Sequence, residues 1–370
     1  MKAVHAFIAE QNISADSLRC DTVDVFYDQA QYDAALTSVD LMRALLTGFD
    51  AAPPHKFYDS TATAKEYLCA NSLGSVKYES GSLNAYKLTI AILRLALDLG
   101  LNLQTNTPAT SISQLPNEHW SITTSRGTIT TPKLILATNG YTAHLLPELQ
   151  GVIVPFRGVV TAQRPGSGLP QRGFPTTYSM VYKNGYEYMI TRPAGTDFQG
   201  DIIIGGGLTK APNDGEGEYG TTDDTVIQPD IEKYLLDCTK EYFGDHWGQD
   251  HKDGQLRRTW TGIMGYSADG YPLVGPVPGK KGLFLDASFQ GHGMVLCWLC
   301  AKAVTSMILG EGEAELRSWF PECYRVSEER MKKKFRGRLK VSGATEVSQE
   351  EDKLDKVETN GMNGVNGEAH

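Results

Sequence analysis

The sequence is poor in three features, each of which would define a class of protein. No apolar run approaches the ~18–20 residues that a membrane span needs, so we expect no membrane segment. Six cysteines in 370 residues are too few for a disulfide scaffold and favour a reducing compartment. The 35 Lys and Arg residues are outnumbered by 44 Asp and Glu residues, and the net charge of -9 argues against a nucleic-acid surface. The remaining composition is that of an ordinary globular protein.

Targeting signals are also missing from the sequence. Lys2 and Glu10 flank a short apolar stretch that His5 interrupts, which excludes a typical signal peptide. The last three residues are not a peroxisomal tripeptide. We therefore predict a cytoplasmic protein with neither a membrane nor a nucleic-acid partner, and the sequence leaves its oligomeric state open.

Alternating helix and strand patterns occupy the first 140 residues and indicate an α/β arrangement. Helices are predicted over 1–11, 29–47 and 82–100, and strands over 22–27, 101–105, 120–124, 128–131 and 133–140. From about 151 to 255 the segments become short, β-branched or aromatic, and separated by Gly, Pro and Asn, which predicts an inserted antiparallel sheet. Residues 341–370 are polar and lack aromatic side chains, so we expect a disordered tail.

The strongest local signal for function is a strand, a Gly-His-Gly turn and a helix between residues 283 and 309. The buried strand 283–287 leads into Gly291, His292 and Gly293, where glycine allows a tight turn and a close approach to a flat ligand. The free N–H groups of the following helix can stabilise negative charge. Cys297 and Cys300 on this helix form a C-x-x-C, which is either a redox pair or, as the apolar neighbours favour, two small core residues.

A longer and more specific pattern precedes this turn. The chain reads W-x-G-I-x-x-x-S-x-D-G-x-P-x-V-G-P from Trp260 to Pro276, followed by the strand and G-H-G-M. This order resembles the C-terminal part of the D-amino-acid-oxidase-like superfamily of FAD-dependent oxidoreductases, which includes glycine, sarcosine and γ-glutamylputrescine oxidases. The resemblance extends, in the expected order, over roughly residues 1–312, through Asn106–Ile112, Leu136–Tyr141 and Val154–Gly158.

The resemblance implies a two-domain α/β fold, α+β overall. It comprises an FAD-binding Rossmann-like domain that is incomplete at its first βαβ unit, with an inserted antiparallel substrate domain. The implied division is FAD-binding domain 1–16, 76–155 and 256–312; substrate domain 17–75 and 156–255; helical C-terminal extension 313–340; and tail 341–370.

The resemblance also implies roles for particular residues. Ala109 would contact adenine through its backbone, and Ala137, Thr138 and Asn139 would line the cofactor channel. The implied cofactor-binding set is completed by Gly262, Gly291, His292, Gly293 and Met294.

The implied catalytic group is the segment of residues 291–294, that is Gly291, His292, Gly293 and Met294. This segment would face the flavin and stabilise the negative charge that develops on it during reduction. Tyr188 and Met264 are candidates for the substrate pocket, and no metal is expected. The implied reaction is oxidation of a small amine or amino acid at its C–N bond by hydride transfer to non-covalent FAD, with oxygen as acceptor.

Two departures from the family pattern modify this expectation. Met264 occupies a position where the family often carries an Arg that pairs with a substrate carboxylate, so a neutral or bulkier amine is favoured. The G-x-G-x-x-G turn is absent, which removes about four charge-assisted hydrogen bonds to pyrophosphate of ~1.5–3 kcal/mol each. We therefore expect this chain to be unstable alone or to bind FAD poorly.

Three hypotheses for function remain. The first is an FAD-dependent amine or amino-acid oxidase whose N-terminal unit is truncated. The second is a non-catalytic remnant of the family that serves as a binding or scaffolding module. The third is another two-dinucleotide flavoprotein, such as a monooxygenase, which the order of the C-terminal motifs disfavours.

Overall fold

The computed structural model describes residues 1–46 and 54–337, and residues 1–335 form one compact unit. The predicted disordered tail 341–370 and the last three residues of the predicted extension lie outside the described residues. Among the described helices none has the length and apolar character needed to cross a membrane.

Eight strands form the largest sheet of the molecule. In spatial order they are β12 (Leu256–Ser267), β8 (Ile153–Gln163), β11 (Ile202–Gly205), β10 (Gly185–Thr191), β9 (Thr176–Tyr182), β1 (Leu18–Phe26), β3 (Gly74–Ser82) and β2 (Lys56–Asp59). All neighbouring pairs are antiparallel except β1 and β9, which run parallel with Asp21 opposite Thr176. The predicted fold class is confirmed, and the sheet includes strands from the first 82 residues.

One face of this sheet is covered by helices α3 (Ser60–Tyr67) and α6 (Pro229–Phe243). The strands contribute every second residue to the core beneath these helices, as the alternation of a pleated strand requires. In β10, for example, Glu187 and Met189 are buried on this side while Tyr186 and Tyr188 stay exposed on the other. The second face is therefore the open one, and it carries the candidate site.

A smaller sheet contains the predicted buried strand and its neighbours. It comprises β13 (Leu273–Pro276), β14 (Leu283–Ala287) and β7 (Leu134–Leu136), with β14 and β7 parallel. Helices α7 (Gly293–Leu309) and α8 (Glu313–Trp319) pack on one face. The outer edge of β7 pairs with no strand of the described residues.

The remaining elements surround these two sheets. The strands β4 (Ala109–Gln114), β5 (Trp120–Thr124) and β6 (Gly127–Thr131) form a separate antiparallel sheet that contains the predicted hairpin. The other helices are α1 (Lys2–Glu10), α2 (Gln29–Leu45), α4 (Ala85–Asp98), α5 (Thr142–Leu145) and α9 (Glu328–Lys332). Asn84 caps α4, since its side-chain oxygen accepts the Lys87 backbone N–H at 3.1 Å.

The predicted strand at residues 101–105 is wrong. Residues 101–104 have no regular structure, and Leu101 and Leu103 are exposed. A strand needs a neighbour for its backbone hydrogen bonds, and no described strand runs beside this segment. The alternating apolar pattern of this segment was therefore not sufficient to predict a strand.

The predicted domain boundaries fall within or beside strands of the eight-stranded sheet. Strand β3 continues past residue 75, β8 continues past residue 155, and β12 begins at residue 256 and pairs with β8 along its length. Each of these strands belongs to one continuous sheet, so the alternating strand pattern does not change at a proposed boundary and could not locate it. The two-domain division remains a prediction.

Candidate functional site

The Gly-His-Gly segment forms a tight left-handed turn between β14 and α7. Ser288, Gln290 and Gly291 have φ values of 68°, 55° and 77°, a region that non-glycine residues rarely adopt. His292 is the N-cap residue of α7, and no side chain of the described residues caps this end of the helix. The first N–H groups of α7 are therefore available to an acceptor outside the helix.

Asn139 ties this turn to the end of strand β7. Its side-chain oxygen accepts the backbone N–H groups of Ser288 at 3.0 Å and Phe289 at 3.4 Å. Asn139 itself has a φ of 44°, a left-handed conformation that Asn tolerates better than most residues. A Cβ at Gly265 would lie 2.6 Å from the same Asn139 oxygen, so only glycine allows strand β12 this close.

Met264 lies where β12 crosses these two segments. A Cβ at Gly158 would lie 2.9 Å from Met264 Cε, and a Cβ at Gly291 would lie 3.5 Å from Met264 Sδ. The backbone of the turn is held to the same strand, since Gln290 N–H donates to the Gly265 carbonyl at 3.1 Å. The structure thus brings together Asn139, Met264 and the turn, which the sequence had singled out separately.

Three other predicted cofactor-binding residues, Thr138, Gly262 and Ala109, have different surroundings. Thr138, next to Ala137, shares a 2.9 Å hydroxyl contact with Thr142 and lies at the end of β7. A Cβ at Gly262 would have no atom of the described residues within 4 Å, so this position of β12 faces open space. Ala109 packs against the core cluster that contains Leu136.

Tyr188 shares a face of the sheet with Met264 but lies on the third strand away from it. Tyr188 is opposite Gly205, Gly205 is opposite Val160, and Met264 is opposite Phe156. Opposite residues share a face, and so do residues an even number apart along a strand. Tyr188 therefore lies on the same face as Met264 but three strands away, and its role in a substrate pocket remains a prediction.

An aromatic cluster on the same face was missed by the sequence reasoning. The ring of Tyr266 lies 5.2 Å from Phe156 and 6.0 Å from Tyr219, and Phe156 and Tyr219 are 4.8 Å apart. The Tyr266 hydroxyl would lie 3.5 Å from a Cβ at Gly291. Phe156 and Tyr266 do stand close to glycines on paired strands, but Tyr219 comes from a loop that has no sequence signal.

Arg157 and Arg192, which could in principle hold a substrate carboxylate in place of an arginine at position 264, are both engaged elsewhere. Arg157 donates from Nε to Glu218 Oε2 at 2.7 Å and from Nη2 to Oε1 at 3.1 Å, a bidentate pair. Arg192 donates to Asp16 at 2.9 Å. Neither guanidinium is directed at the cluster around Met264, so a substrate carboxylate has no partner in these two residues.

The C-x-x-C cysteines lie close enough to a buried carboxyl group to feel its charge. Asp286 on β14 is 9% exposed, and its Oδ1 atom has no hydrogen-bond partner among the described residues. Burial raises the pKa of Asp286 to about 6. Burial, together with the nearby Asp286 charge, raises the pKa of Cys297 and brings that of Cys300 to about 12. Both thiols therefore stay protonated at neutral pH, which argues against a redox pair. Cys300 is buried in the core as predicted, whereas Cys297 is exposed, so the prediction of two core residues is wrong for Cys297.

Comparison with known proteins places this geometry in a family context. The family model of the FAD dependent oxidoreductases (DAO) matches residues 1–307. Glycine oxidase of Pseudomonas aeruginosa is 25% identical over 191 residues, which are 51% of this chain and 45% of that protein. The probable oxidoreductase OrdL of Rhizobium meliloti is 24% identical over 273 residues, or 72% of this chain and 56% of that protein. The chain spans about half the length of these curated relatives.

Solved structures share the fold at low identity. Glycine oxidase from Geobacillus kaustophilus superposes with a TM-score of 0.68 at 18% identity, covering 88% of this chain and 80% of that chain. Iminodiacetate oxidase from Chelativorans sp. BNC1 gives a TM-score of 0.66 at 16% identity, covering 86% of this chain and 81% of that chain.

Proposed function

Because this chain belongs to the DAO family of FAD-dependent oxidoreductases, we propose that it holds the flavin end of FAD at the Gly291–Met294 turn and oxidises a C–N bond of a small amine. The observation that carries the proposal is the uncapped start of α7, which meets Asn139 and Met264 in one cluster. Glycine oxidase and iminodiacetate oxidase, which share the fold, have names that indicate substrates with a C–N bond.

The residues present suit a flat ring with an electron-rich edge. Ser288, Gln290 and Gly291 have left-handed φ values, and Gly291 has no side chain to block a close approach to the backbone at the start of α7. The first N–H groups of α7 lie at the positive end of the helix dipole and stabilise negative charge beside them. Asn139 fixes this turn from the β7 side, and Ala137 and Thr138 continue the same wall.

FAD would supply the two-electron acceptor at this turn. The phosphate end of the cofactor receives no assignment, because the sequence contains no G-x-G-x-x-G turn. The protein's own part is to hold the substrate carbon against the ring and to exclude water beside Met264. The substrate loses two electrons and two protons as its C–N bond becomes C=N. Water then adds to the imine and releases a carbonyl compound and an amine, and molecular oxygen is the proposed final acceptor.

The lining favours a neutral or bulky amine over an amino acid held by its carboxylate. Met264 offers an apolar side chain, and Arg157 and Arg192 are paired with Glu218 and Asp16. The aromatic rings that border Met264 add apolar and π-face contacts, which suit a hydrophobic or cationic group.

A second candidate function is that of a non-catalytic binding module that keeps the sheet and its open face. The observation in its favour is the absence of the G-x-G-x-x-G turn. If the first proposal holds, adding purified protein to FAD should shift the flavin absorbance bands near about 370 and 450 nm in a saturable way, even where binding is weak. Bands that stay those of free FAD at the highest protein concentration would rule out the first proposal for this chain and favour the binding module.

A matched pair of variants locates the flavin on the molecule. Asn139→Ala removes the acceptor that holds the turn, so FAD affinity should fall by about tenfold, the effect of one lost hydrogen bond of ~1.4 kcal/mol. Asn117→Ala removes a comparable Asn that accepts the His119 backbone N–H in the β4–β5 connection, and should leave affinity unchanged. Fluorescence titration with FAD measures both. Equal affinities for the two variants would place the flavin elsewhere.

A further inference from the structure

The loop of residues 206–219, which leaves β11 and returns to β8, adopts an unusual backbone. Asn213, Asp214 and Gly215 are three consecutive left-handed residues, with φ values of 53°, 53° and 79°. Left-handed conformations are unfavourable for non-glycine residues and persist only where the surroundings fix them. We therefore expect contacts that fix the two ends of this loop in place.

The far end of the 206–219 loop is held at the candidate site. Glu218 is 4% exposed and forms the bidentate pair with Arg157. Tyr219 and Phe156 form an isolated antiparallel β-bridge, and the Gly220 N–H donates to the Pro155 carbonyl at 2.8 Å. The loop thus delivers Tyr219 to the aromatic cluster that lies next to the Gly-His-Gly turn.

The near end is held by a carboxylate on the opposite face of the sheet. Glu187 of β10 is fully buried, and its Oε1 accepts the Gly207 backbone N–H at 3.2 Å and the Tyr182 hydroxyl at 2.7 Å. The Tyr242 hydroxyl of α6 donates to Oε2. A Cβ at Gly206 would lie 2.9 Å from Glu187 Cγ, so the loop folds directly over this side chain.

The surroundings of Glu187 fit a buried acceptor rather than an ion pair. Three donors converge on the carboxylate, two of them tyrosine hydroxyls, which satisfies most of its hydrogen-bonding capacity. Lys210 of the same loop lies 4.7 Å from the Tyr234 ring centre and 5.9 Å from that of Tyr182. The loop therefore also carries a cation against the aromatic rings that surround the carboxylate.

We propose that Glu187 is a positioning residue, which fixes the start of the 206–219 loop and thereby sets Tyr219 at the site. The relevance of this loop to catalysis rests on the proposed function, but its anchoring by Glu187 does not. The substitution Glu187→Gln would present an N–H₂ group to donors and lose one acceptor atom, so it cannot reproduce the arrangement. The substitution Tyr182→Phe would remove one of the three donors and leave the others.

Hydrogen–deuterium exchange on the full chain without FAD tests the anchoring alone. In Glu187→Gln the amides of 207–219 should exchange at least about tenfold faster than in the parent protein, while strand β1 keeps its protection. Tyr182→Phe should give a smaller increase in the same peptides and serves as the milder variant if Glu187→Gln does not fold. Thr63→Val is the matched control, since it removes the buried 2.9 Å Thr63–Ser75 hydroxyl contact away from the loop.

The pattern of exchange decides the outcome. Faster exchange confined to 207–219 in both loop variants, and not in the control, supports the proposal. Unchanged exchange there, or an equal increase across all peptides in all three variants, would overturn it. Because no cofactor is added, failure of flavin binding would contradict the proposed function and leave this result standing.

Discussion

The eight-stranded sheet and the three-stranded sheet differ in how completely they are closed. The large sheet buries one face beneath α3 and α6, with Ile204 and Met180 wholly inaccessible. The small sheet is parallel at β14 and β7, yet β7 has no outer neighbour among the described residues and Ile135 on it is 45% exposed. Parallel sheets are normally covered on both faces, so their strands are buried.

Exposed apolar side chains follow this difference. Met294, Val295 and Leu299 on α7 are exposed, as are Leu101 and Leu103 after α4. The open face of the large sheet exposes mainly aromatic residues, such as Tyr186 and Tyr188, which suit ligand contact. The large sheet therefore has one face closed over a core, whereas the small sheet leaves β7 and part of α7 exposed in the described residues.

The largest expected effect is a contrast between two isoleucines. Ile204→Ala in β11 should lower the free energy of unfolding by about 2–5 kcal/mol, because it opens a cavity in a closed core. Ile135→Ala in β7 removes the same atoms from an open strand and should cost below about 1 kcal/mol. Urea denaturation of both variants measures the difference. Equal losses would mean that Ile135 is covered in solution, for instance by a second copy.

The next effect concerns the buried carboxyl of the small sheet. The pKa of Asp286 is raised by burial to about 6, against ~3.9 in an unfolded chain, a difference of about 3 kcal/mol. The folded state therefore holds this proton more tightly, and stability should be greatest below about pH 4 and fall as pH rises through about 6. The substitution Asp286→Asn should remove this fall in stability between about pH 4 and 6.

Asp269 provides the matched comparison with the opposite sign. Burial alone would raise its pKa, but the bidentate Arg330 guanidinium holds the pKa of Asp269 below its usual value. Its contribution should be present at neutral pH and be lost as pH falls through the lowered pKa. Thermal denaturation of the parent protein, Asp286→Asn and Asp269→Asn between about pH 2 and 8 separates the two, because the Asp269 contribution is lost only below about pH 4; parallel profiles would contradict both assignments.

The smallest effect is expected at the C-x-x-C. Cys297 is exposed, and the raised pKa values of both thiols argue against a redox role. Cys297→Ser should change the free energy of unfolding by no more than about 0.5 kcal/mol. A denaturation midpoint of the parent protein that shifts on adding a thiol reductant would instead indicate a disulfide-forming pair.

Sequence reasoning located the elements whose pattern is local. The apolar run 283–287 with its glycine turn predicted β14 and the start of α7. The strand expected at 101–105 failed because no strand of the described residues pairs with it. Glu187 and Tyr219 gave no signal, since their roles depend on contacts with segments far away in the chain.

The parallel pairing of β1 with β9 determines the order in which the protein can assemble. Strands β1, β2 and β3 lie within the first 82 residues and can form a hairpin-like unit early. Strand β9 reaches β1 only after 155 more residues, where Thr176 Oγ1 donates to the Asp21 carbonyl. At a synthesis rate of ~5–20 residues per second, roughly 10–30 s pass between the synthesis of β1 and that of its partner β9. During that interval its edge and the apolar face of Val23 and Val25 are open to chaperones and to aggregation.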